Sequence, residues 1–336
     1  MRNVYIIAEV GPNHQGSIEV ALRYVRKLSS IGVDAVKFQI GIAKEHYSKN
    51  SFKPKYQKKN NSSKSIITDA NKRLLELNDH IKLFKECKKN KVDYLCSAFD
   101  LKSLEFLYKN TKFPYFKIPS GEILSIDTLK FISEKNLPII LSTGMASVDE
   151  IKRTIKYLNR KKKKKITLLH CISDYPTDNK NLNLNFIKKL KKIFNYPVGL
   201  SDHSTGVLAP IVAVSLGASI IEKHVTFDKK AIGPDHQASL TIKEFKEMIK
   251  LIRSTEGALG KEKKILSKGE RLNSLAVRKS CVSAKDIKKG EKISKTSICY
   301  KRPGTGISPF NFFKFINKRS KKFLSKDTVL KLRDFK

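Results

Sequence analysis

The sequence predicts an α/β protein: a closed (β/α)8 barrel followed by a small, mostly β domain. From residue 4 to about residue 257, eight short apolar, β-branched runs alternate with amphipathic stretches, as in a parallel sheet with crossover helices. Eight such units in about 250 residues match the length of a closed barrel. After Gly257 the pattern changes to short strands punctuated by Gly and Pro. A doubly wound open sheet is the second possibility, but GPNHQG after the first strand lacks the G-x-G-x-x-G spacing.

Strands and helices are predicted from two different periodicities. Short continuous apolar runs are typical of strands buried on both faces, and apolar residues every three to four positions are typical of helices. The clearest helical patterns are Ile18–Ser30, Asp79–Asn90, Ser147–Asn159 and Thr241–Glu256. The predicted strands are, in order, Val4–Ala8, Ala35–Gln39, Tyr94–Ser97, Tyr115–Ile118, Pro138–Ser142, Ile166–His170, Pro197–Leu200 and Ser219–His224.

The sequence also predicts two domains joined by a linker. Residues 1–257 are the barrel domain, residues 258–275 a linker with a basic helical piece, and residues 276–336 the small domain. One connection inside the barrel, residues 41–69, is unusually long and rich in Lys, Ser and Asn. This composition is typical of a mobile lid or a disordered insertion.

The net charge of +38 comes from 57 lysines and 12 arginines against 31 acidic residues. Such a charge attracts polyanions such as nucleic acid, or an anionic substrate. A nucleic-acid surface normally uses more arginine for bidentate contacts to phosphates and bases. Lysine runs such as Arg160–Lys165 and Lys188–Lys192 fall at helix ends or on exposed faces. We therefore interpret the excess as compositional bias on a solvated surface and do not expect nucleic acid as a partner.

Cysteine usage and hydropathy predict a cytoplasmic protein. The five cysteines are odd in number and scattered, without C-x-x-C spacing, which indicates reduced thiols. No apolar run reaches the about 20 residues of a membrane span. Residues 1–8 are too short for a signal peptide, so no membrane partner is expected.

Polar residues stand where the predicted strands end. In a (β/α)8 barrel these ends meet at one mouth, which is where active sites lie. We therefore expect these residues to line one site, with Gln39 and Ser97 among the substrate contacts. The strand-end set comprises Glu9, Asn13, His14, Lys37, Gln39, Ser97, Lys117, Ser120, Glu122, Ser142, Thr143, residues 171–175, Ser201, Asp202, His203 and His224.

Two lysines lie inside otherwise apolar strands. Lys37 and Gln39 are two residues apart and therefore point to the same face of their strand, and Lys117 repeats the situation in YFKIPS. A buried ammonium needs a counter-charge. A phosphate or carboxylate ligand would supply one. The alternatives are a purely structural pairing with Glu9 or Glu122, or a Schiff-base lysine.

His203 and His224 end two consecutive strands, 21 residues apart. Two histidines that face one mouth favour a divalent metal held by imidazole nitrogens. With Glu9 nearby, the set would be two His plus oxygen ligands, with open positions for substrate. This set suits Mn²⁺ or another Lewis-acid metal, and Mg²⁺ or Co²⁺ are alternatives.

The same residues carry a resemblance that spans most of the chain. The stretches IIAEVGPNHQGS, AVKFQ, FKIPSGE, LPIILSTGMAS, LLHCISDYPT, GLSDHSTG, IIEKHVTFD and GPDHQAS occur in this order. Together they closely resemble the sialic acid synthase family, the bacterial N-acetylneuraminate synthases. AKDIKKGEKI and KRPGTGISP resemble that family's C-terminal antifreeze-like (SAF) domain. The resemblance implies a transferase that condenses phosphoenolpyruvate, an N-acylated mannosamine-type sugar and water into a nine-carbon 2-keto acid and phosphate.

The resemblance further implies roles for individual residues. His203 and His224 hold the Mn-type metal, Glu9 works at the metal and substrate, and Glu9 or Glu122 positions or deprotonates the water. Arg302 of KRPG reaches from the SAF domain of the partner subunit to the sugar, which places the chain in a domain-swapped homodimer. The implied contacts to phosphoenolpyruvate come from Lys37, Lys117, Ser120, Ser142 and Ser201, and those to the sugar from Tyr175 and Asp235.

The choice of sugar is the open part of this interpretation. N-acetylmannosamine, giving N-acetylneuraminate, is the simplest expectation. Ser173 and Asp174 depart from some family members on the sugar side, so a legionaminic or pseudaminic acid synthase that uses a diacetamido-trideoxy sugar is the alternative. Two other classes are a basic nucleic-acid-binding barrel and a carbohydrate-binding protein with an inactive barrel. Neither accounts for both lysines and both histidines.

Overall fold

The computed structural model describes residues 3–54 and 65–336, and the chain divides into two compact units, Met1–Gly260 and Lys261–Lys336. The predicted lid at residues 41–69 is therefore described only at its two ends, because residues 55–64 lie outside the described residues. Among the described residues, no helix is long and apolar enough to cross a membrane.

The first unit is a closed barrel of eight parallel strands. Each strand pairs in parallel with the next, and β1 also pairs with β8, where Glu9 stands opposite His224. The predicted (β/α)8 barrel is thus confirmed, and each strand lies within two residues of its predicted bounds. The strands are β1 Tyr5–Glu9, β2 Ala35–Ile40, β3 Asp93–Ala98, β4 Phe116–Ile118, β5 Ile139–Ser142, β6 Ile166–Cys171, β7 Val198–Asp202 and β8 Ile220–Thr226.

Helices surround the barrel, and capping residues stand at the start of several of them. Ser17 accepts a hydrogen bond from Val20 N, and Thr241 forms a capping box with Glu244. A short strand, β9 Leu240–Thr241, precedes the last helix of the unit. The helices are α1 Ile18–Ser29, α2 Ala43–His46, α3 Ile66–Arg73, α4 Leu77–Lys89, α5 Leu101–Asn110, α6 Ile126–Glu134, α7 Val148–Leu158, α8 Phe186–Phe194, α9 Leu208–Ser215 and α10 Ile242–Leu259.

The barrel interior consists of an apolar layer below a polar one. Because side chains alternate along a strand, the residue two positions before each polar strand end fills the layer beneath it. The lower layer is a buried cluster of Ile7, Ala35, Leu95, Ile140, Leu169 and Ile220. It closes the barrel, so the polar side chains above it face only the carboxyl-end mouth.

The second unit has a separate small core. Helix α11, Lys268–Val277, begins with a capping box formed by Ser267 and Glu270. Strands β10 Ser280–Ser283 and β11 Ile298–Lys301 pair antiparallel, and isolated antiparallel bridges such as Ile287 with Leu324 join other segments of the unit. Buried side chains such as Ile287, Ile293, Phe312 and Leu330 fill the core.

Candidate active site

A cavity of about 470 Å³ opens at the carboxyl ends of the barrel strands. Most of the polar side chains at these strand ends are buried, so they face the cavity and not bulk solvent. Of the residues predicted to have catalytic, substrate-binding or metal-binding roles, only Glu122 and Arg302 do not line it. The wider strand-end set fits less well, because Asn13, Ile172, Thr143, Asp174 and Asp202 do not line the cavity. The predicted residues that line it are Glu9, Lys37, Gln39, Ser97, Lys117, Ser120, Ser142, Tyr175, Ser201, His203, His224 and Asp235.

Two lysines and two glutamates form a buried charge cluster on the cavity floor. Lys37 Nζ lies 3.1 Å from Glu9 Oε2 and 3.6 Å from Glu222 Oε1. Lys117 Nζ lies 3.7 Å from the same Glu222 oxygen. One carboxylate therefore bridges both ammonium groups, and Ser201 Oγ donates a 2.9 Å hydrogen bond to it.

Burial and these neighbours set the protonation states on the floor. Burial raises the pKa of Glu9 despite Lys37 and Gln39, which lower it. Burial opposes the charge on Lys37, but Glu222 and Glu9 raise its pKa above the ordinary value. Burial, with Lys37 as a like charge, lowers the pKa of Lys117 to about 8. At neutral pH the floor thus holds two cations, which suits a ligand with two anionic groups.

Hydroxyl groups orient the two ammonium groups. Lys117 Nζ donates a 2.7 Å hydrogen bond to Ser142 Oγ, and Lys37 Nζ donates at 3.3 Å to Ser97 Oγ. Each lysine is thereby held by a serine of the next strand in the barrel. Gln39 Nε2 donates to Glu9 Oε1 at 2.8 Å, which leaves the second carboxylate oxygen toward Lys37.

His203 and His224 lie side by side at the mouth, with ring centroids 5.4 Å apart. His203 Nδ1 lies 2.7 Å from the carbonyl oxygen of Ile172. Because a carbonyl only accepts, Nδ1 carries the proton, and Nε2 has a lone pair whenever the ring is neutral. Burial opposes the charge on His203, but Cys171 and the Ile172 carbonyl raise its pKa above the ordinary value. Burial, followed by the charges of His203 and Lys37, holds the pKa of His224 well below its ordinary value.

His224 also carries a polar atom without a hydrogen bond. Within residues 3–54 and 65–336, no group donates to or accepts from its buried Nδ1, which lies 3.5 Å from Asp235 Oδ2. Burial, with Glu9 as a like charge, raises the pKa of Asp235 to about 7. In their neutral forms the two histidines therefore present imidazole lone pairs beside a carboxyl group whose pKa is about 7.

Tyr175 and a serine-rich wall adjoin the histidine pair. The ring of Tyr175 lies over that of His203, with centroids 4.0 Å apart. Gly144 N donates a 3.0 Å hydrogen bond to Ser120 Oγ. A Cβ at Gly144 would clash with the hydroxyls of Ser173 and Ser120, so a larger residue here would displace both side chains.

The outer wall comes from the two described ends of the long connection. Ile66 and Ala70 of α3, with Leu74 and the exposed Phe52, give it an apolar surface. Lys53 and Asp69 form a largely buried ion pair that joins the two ends. The half-buried Arg73 also lines the cavity, so the outer wall carries a cation among apolar groups.

Two predicted site residues, Glu122 and Arg302, are not part of the barrel cavity's lining. Glu122 is buried beyond β4, where its carboxylate accepts a 2.5 Å hydrogen bond from Ser125 Oγ, and it does not line the mouth cavity. Burial raises its pKa. Arg302 belongs to the second unit, where its side chain is exposed, and its contact with the sugar stays a prediction.

Sequence reasoning missed Glu222, the residue that joins the two lysines. The signal was present: Glu222 stands two positions before His224 on β8, so strand alternation places both side chains on the inner face. Arg73 was missed for a different reason, because nothing local to α3 indicates that its end reaches the mouth.

The fold and cavity define a (β/α)8 enzyme whose site holds buried cations and paired histidines at the barrel mouth. The comparisons with known proteins identify it further. The model of the NeuB family matches residues 24–264, and that of the SAF domain matches residues 278–336. The chain belongs to the NeuB family and is a synthase of the sialic, legionaminic and pseudaminic acid class.

Three relatives represent the products made within this family. The chain is 40% identical over 334 residues to the N,N'-diacetyllegionaminic acid synthase of Campylobacter jejuni, covering 98% of this chain and 100% of that one. It is 34% identical to the pseudaminic acid synthase of the same species, covering 99% and 97%. It is 31% identical to the human N-acetylneuraminate-9-phosphate synthase, covering 94% and 88%.

A solved structure supports the same assignment. The N-acetylneuraminic acid synthetase of Leptospira borgpetersenii, in complex with citrate, superposes with a TM-score of 0.72 at 30% identity. The match covers 81% of this chain and 90% of that one.

Proposed function

We propose that this enzyme condenses phosphoenolpyruvate with an N-acylated mannosamine-type sugar and water, giving a nine-carbon 2-keto acid and phosphate. The observation that carries the proposal is the pair of buried lysines beside the paired histidines in one cavity. Carbon 3 of the enol bonds to the aldehyde carbon, whose oxygen takes a proton. Water adds at carbon 2, and the carbon–oxygen bond to phosphate breaks.

The charge cluster supports the phosphoenolpyruvate subsite. Lys37 and Lys117 are the two cations on the floor, and phosphoenolpyruvate carries two anionic groups. An ammonium that already sits in a buried position needs no reorganisation when charge develops on the departing phosphate. Ser142 and Ser201 complete the polar lining. No Schiff base is needed, because Lys117 and Lys37 act here as electrostatic partners.

Glu9 is the acid–base group that the geometry favours. Its carboxyl lines the cavity between Gln39 and Lys37, and burial raises its pKa toward the working range of a general acid or base. Glu122 was an equal candidate in the sequence. Since Glu122 does not line the cavity, we assign the handling of the water to Glu9 alone.

The residues present fit a divalent metal. His203 offers Nε2, His224 is neutral with an unpartnered Nδ1, and Asp235 lies beside it. In the part of the chain that the structure describes, no three His, Cys, Asp or Glu side chains are arranged so that they could hold a metal ion by themselves. Oxygen atoms of substrate and water would therefore complete the coordination. When bound, Mn²⁺, or Mg²⁺ or Co²⁺ in its place, would supply Lewis-acid polarisation of the sugar aldehyde.

For the sugar we propose the 2,4-diacetamido-trideoxy type rather than the simpler N-acetylmannosamine. Ile66, Ala70 and Leu74 give the outer wall an apolar surface, which favours a methyl group at the far end of the sugar over a hydroxymethyl group. The similarity to legionaminic acid synthases at 40% and 38% identity points the same way. N-acetylmannosamine remains the second candidate because the N-acetylneuraminate synthases also match.

The remaining parts of the proposal concern assembly and location. We propose a domain-swapped homodimer in which Arg302 of the partner subunit contacts the acylamino group of the sugar. Its exposure within its own unit leaves the guanidinium available for such a contact. All five cysteines are free, as expected for the cytoplasmic location that we propose.

Phosphate release from phosphoenolpyruvate tests the proposal directly. We expect release only with a sugar and Mn²⁺ present, abolished by EDTA, and faster with the diacetamido-trideoxy sugar than with N-acetylmannosamine. His203→Ala is expected to lose activity and Mn²⁺ binding. His170→Asn is the matched control, because His170 is a buried barrel histidine that does not line the cavity. No release with either sugar would contradict the proposed reaction.

A further inference from the structure

Behind the two histidines, a buried ion pair occupies the outer face of the barrel wall. Lys223 Nζ lies 2.5 Å from Asp202 Oδ2, and both side chains are fully buried. Asp202 and Lys223 are direct register partners on β7 and β8. Asp202 immediately precedes His203, and Lys223 immediately precedes His224, so the ion pair adjoins both candidate metal ligands in sequence.

The contacts of this pair close around His203. Asp202 Oδ1 accepts hydrogen bonds from Ser204 N at 2.9 Å and from Ser204 Oγ at 2.7 Å, so the carboxylate spans the histidine between them. Lys223 Nζ also donates to the carbonyl of Ser204. The Lys223 ammonium therefore contacts both neighbours of His203 in the chain, Asp202 and Ser204. Lys223 is itself the residue before His224.

We infer that Asp202, Lys223 and Ser204 are positioning residues that set the spacing of His203 and His224 for the metal. This inference rests on the proposed metal-dependent function. A buried ion pair adds little net stability over apolar residues of similar size, but it fixes relative positions through directional contacts. Here the fixed positions are those of two imidazoles on different strands.

The metal affinity of the whole protein tests this inference. The double variant Asp202→Asn/Lys223→Met removes the ion pair without leaving one charge buried alone, and the milder Ser204→Ala removes one hydrogen bond to Asp202. Mn²⁺ dissociation constants would be measured by calorimetry. Phosphoenolpyruvate affinity in EDTA and thermal unfolding would be measured in parallel. Asp34→Asn is the matched control, since Asp34 also bonds across barrel elements, to Ile6 N and Arg253.

We expect the double variant to bind Mn²⁺ about 10- to 100-fold more weakly, the size of effect seen when outer contacts of metal ligands are lost. Ser204→Ala should weaken binding about two- to tenfold, as expected for one hydrogen bond. The phosphoenolpyruvate affinity of both variants should stay within about twofold of the wild type, because the lysines on the floor do not contact the ion pair. Asp34→Asn should leave the Mn²⁺ affinity unchanged, because Asp34 does not contact the residues beside His203 and His224.

Two results would overturn the inference while leaving the proposed function intact. One is an unchanged Mn²⁺ affinity in whichever of the two variants folds. The other is an equal loss of metal and phosphoenolpyruvate affinity, which a general loosening of the barrel would produce. Wild-type protein that binds no Mn²⁺ would overturn the metal assignment itself, and the inference with it.

Discussion

Substitution of Glu222 is the most direct test of the charge cluster, because its carboxylate pairs with two buried ammonium groups. Glu222→Gln keeps the shape and removes the charge. At 3.6 Å from Lys37 and 3.7 Å from Lys117, each attraction is about 4.5 kcal/mol at an effective dielectric constant near 20, before desolvation is counted. Breaking a buried pair costs about 3–5 kcal/mol in practice.

The loss is limited because Lys117 can release its proton. Its pKa is about 8 with Glu222 present, and removal of the carboxylate lowers that pKa further, so the lysine becomes neutral at pH 7. We expect the barrel to be destabilised by about 3–5 kcal/mol. This corresponds to a fall in melting temperature of about 6–20 °C.

Calorimetric melting with and without phosphoenolpyruvate is the assay. In the wild type, the anionic groups of phosphoenolpyruvate compete with Glu222 for the two lysines. In the variant they take the place of the missing carboxylate, so phosphoenolpyruvate should raise the melting temperature of the variant more than that of the wild type. Glu45→Gln is the matched control: Glu45 pairs with Lys102 at 2.6 Å, but on the surface, so we expect almost no change in its melting temperature. Equal stability of the two variants, or no extra effect of phosphoenolpyruvate, would refute the reasoning.

Three further predictions concern catalysis. The kcat/KM for phosphoenolpyruvate should fall as pH rises through about 8, because the anion-binding form of Lys117 is the cation present below its pKa; a flat pH profile from 7 to 9 would count against this role. Arg302→Ala should raise the KM of the sugar far more than that of phosphoenolpyruvate, and steady-state kinetics showing equal increases would argue against its contact with the sugar. Gly144→Ala should lower kcat/KM at least about tenfold, because its Cβ clashes with Ser120 and Ser173; unchanged kinetics would show that the wall is adaptable.

Only a small part of the chain's positive charge lies in the charge cluster of the cavity floor. Of the 69 basic residues, the floor uses Lys37 and Lys117, and their counter-charges Glu9 and Glu222 are buried with them. The four charges of the floor therefore nearly balance before substrate arrives, and Arg73 adds a cation on the outer wall. The excess lysines lie elsewhere, and nothing in the described structure assigns them a ligand.

The order of the elements could be predicted because it depends on patterns local in the chain. Continuous apolar runs marked the eight strands to within two residues, and the helical pattern from Thr241 marked the start of α10 to within one residue. Alternation along β2 likewise predicted that Lys37 and Gln39 point inward. A period of two residues fixes the face of a strand without reference to any other strand.

Only the tertiary structure decided which of these side chains meet. Both Glu9 and Glu122 were possible partners of the lysines, and the structure keeps Glu9, adds Glu222 and places Glu122 outside the cavity. The ion pair of Asp202 and Lys223 likewise appears only when β7 and β8 are in register. Barrel closure and strand register bring together residues that are more than 200 positions apart, as Glu9 and Glu222 are, and a pattern local to the chain cannot indicate such a contact.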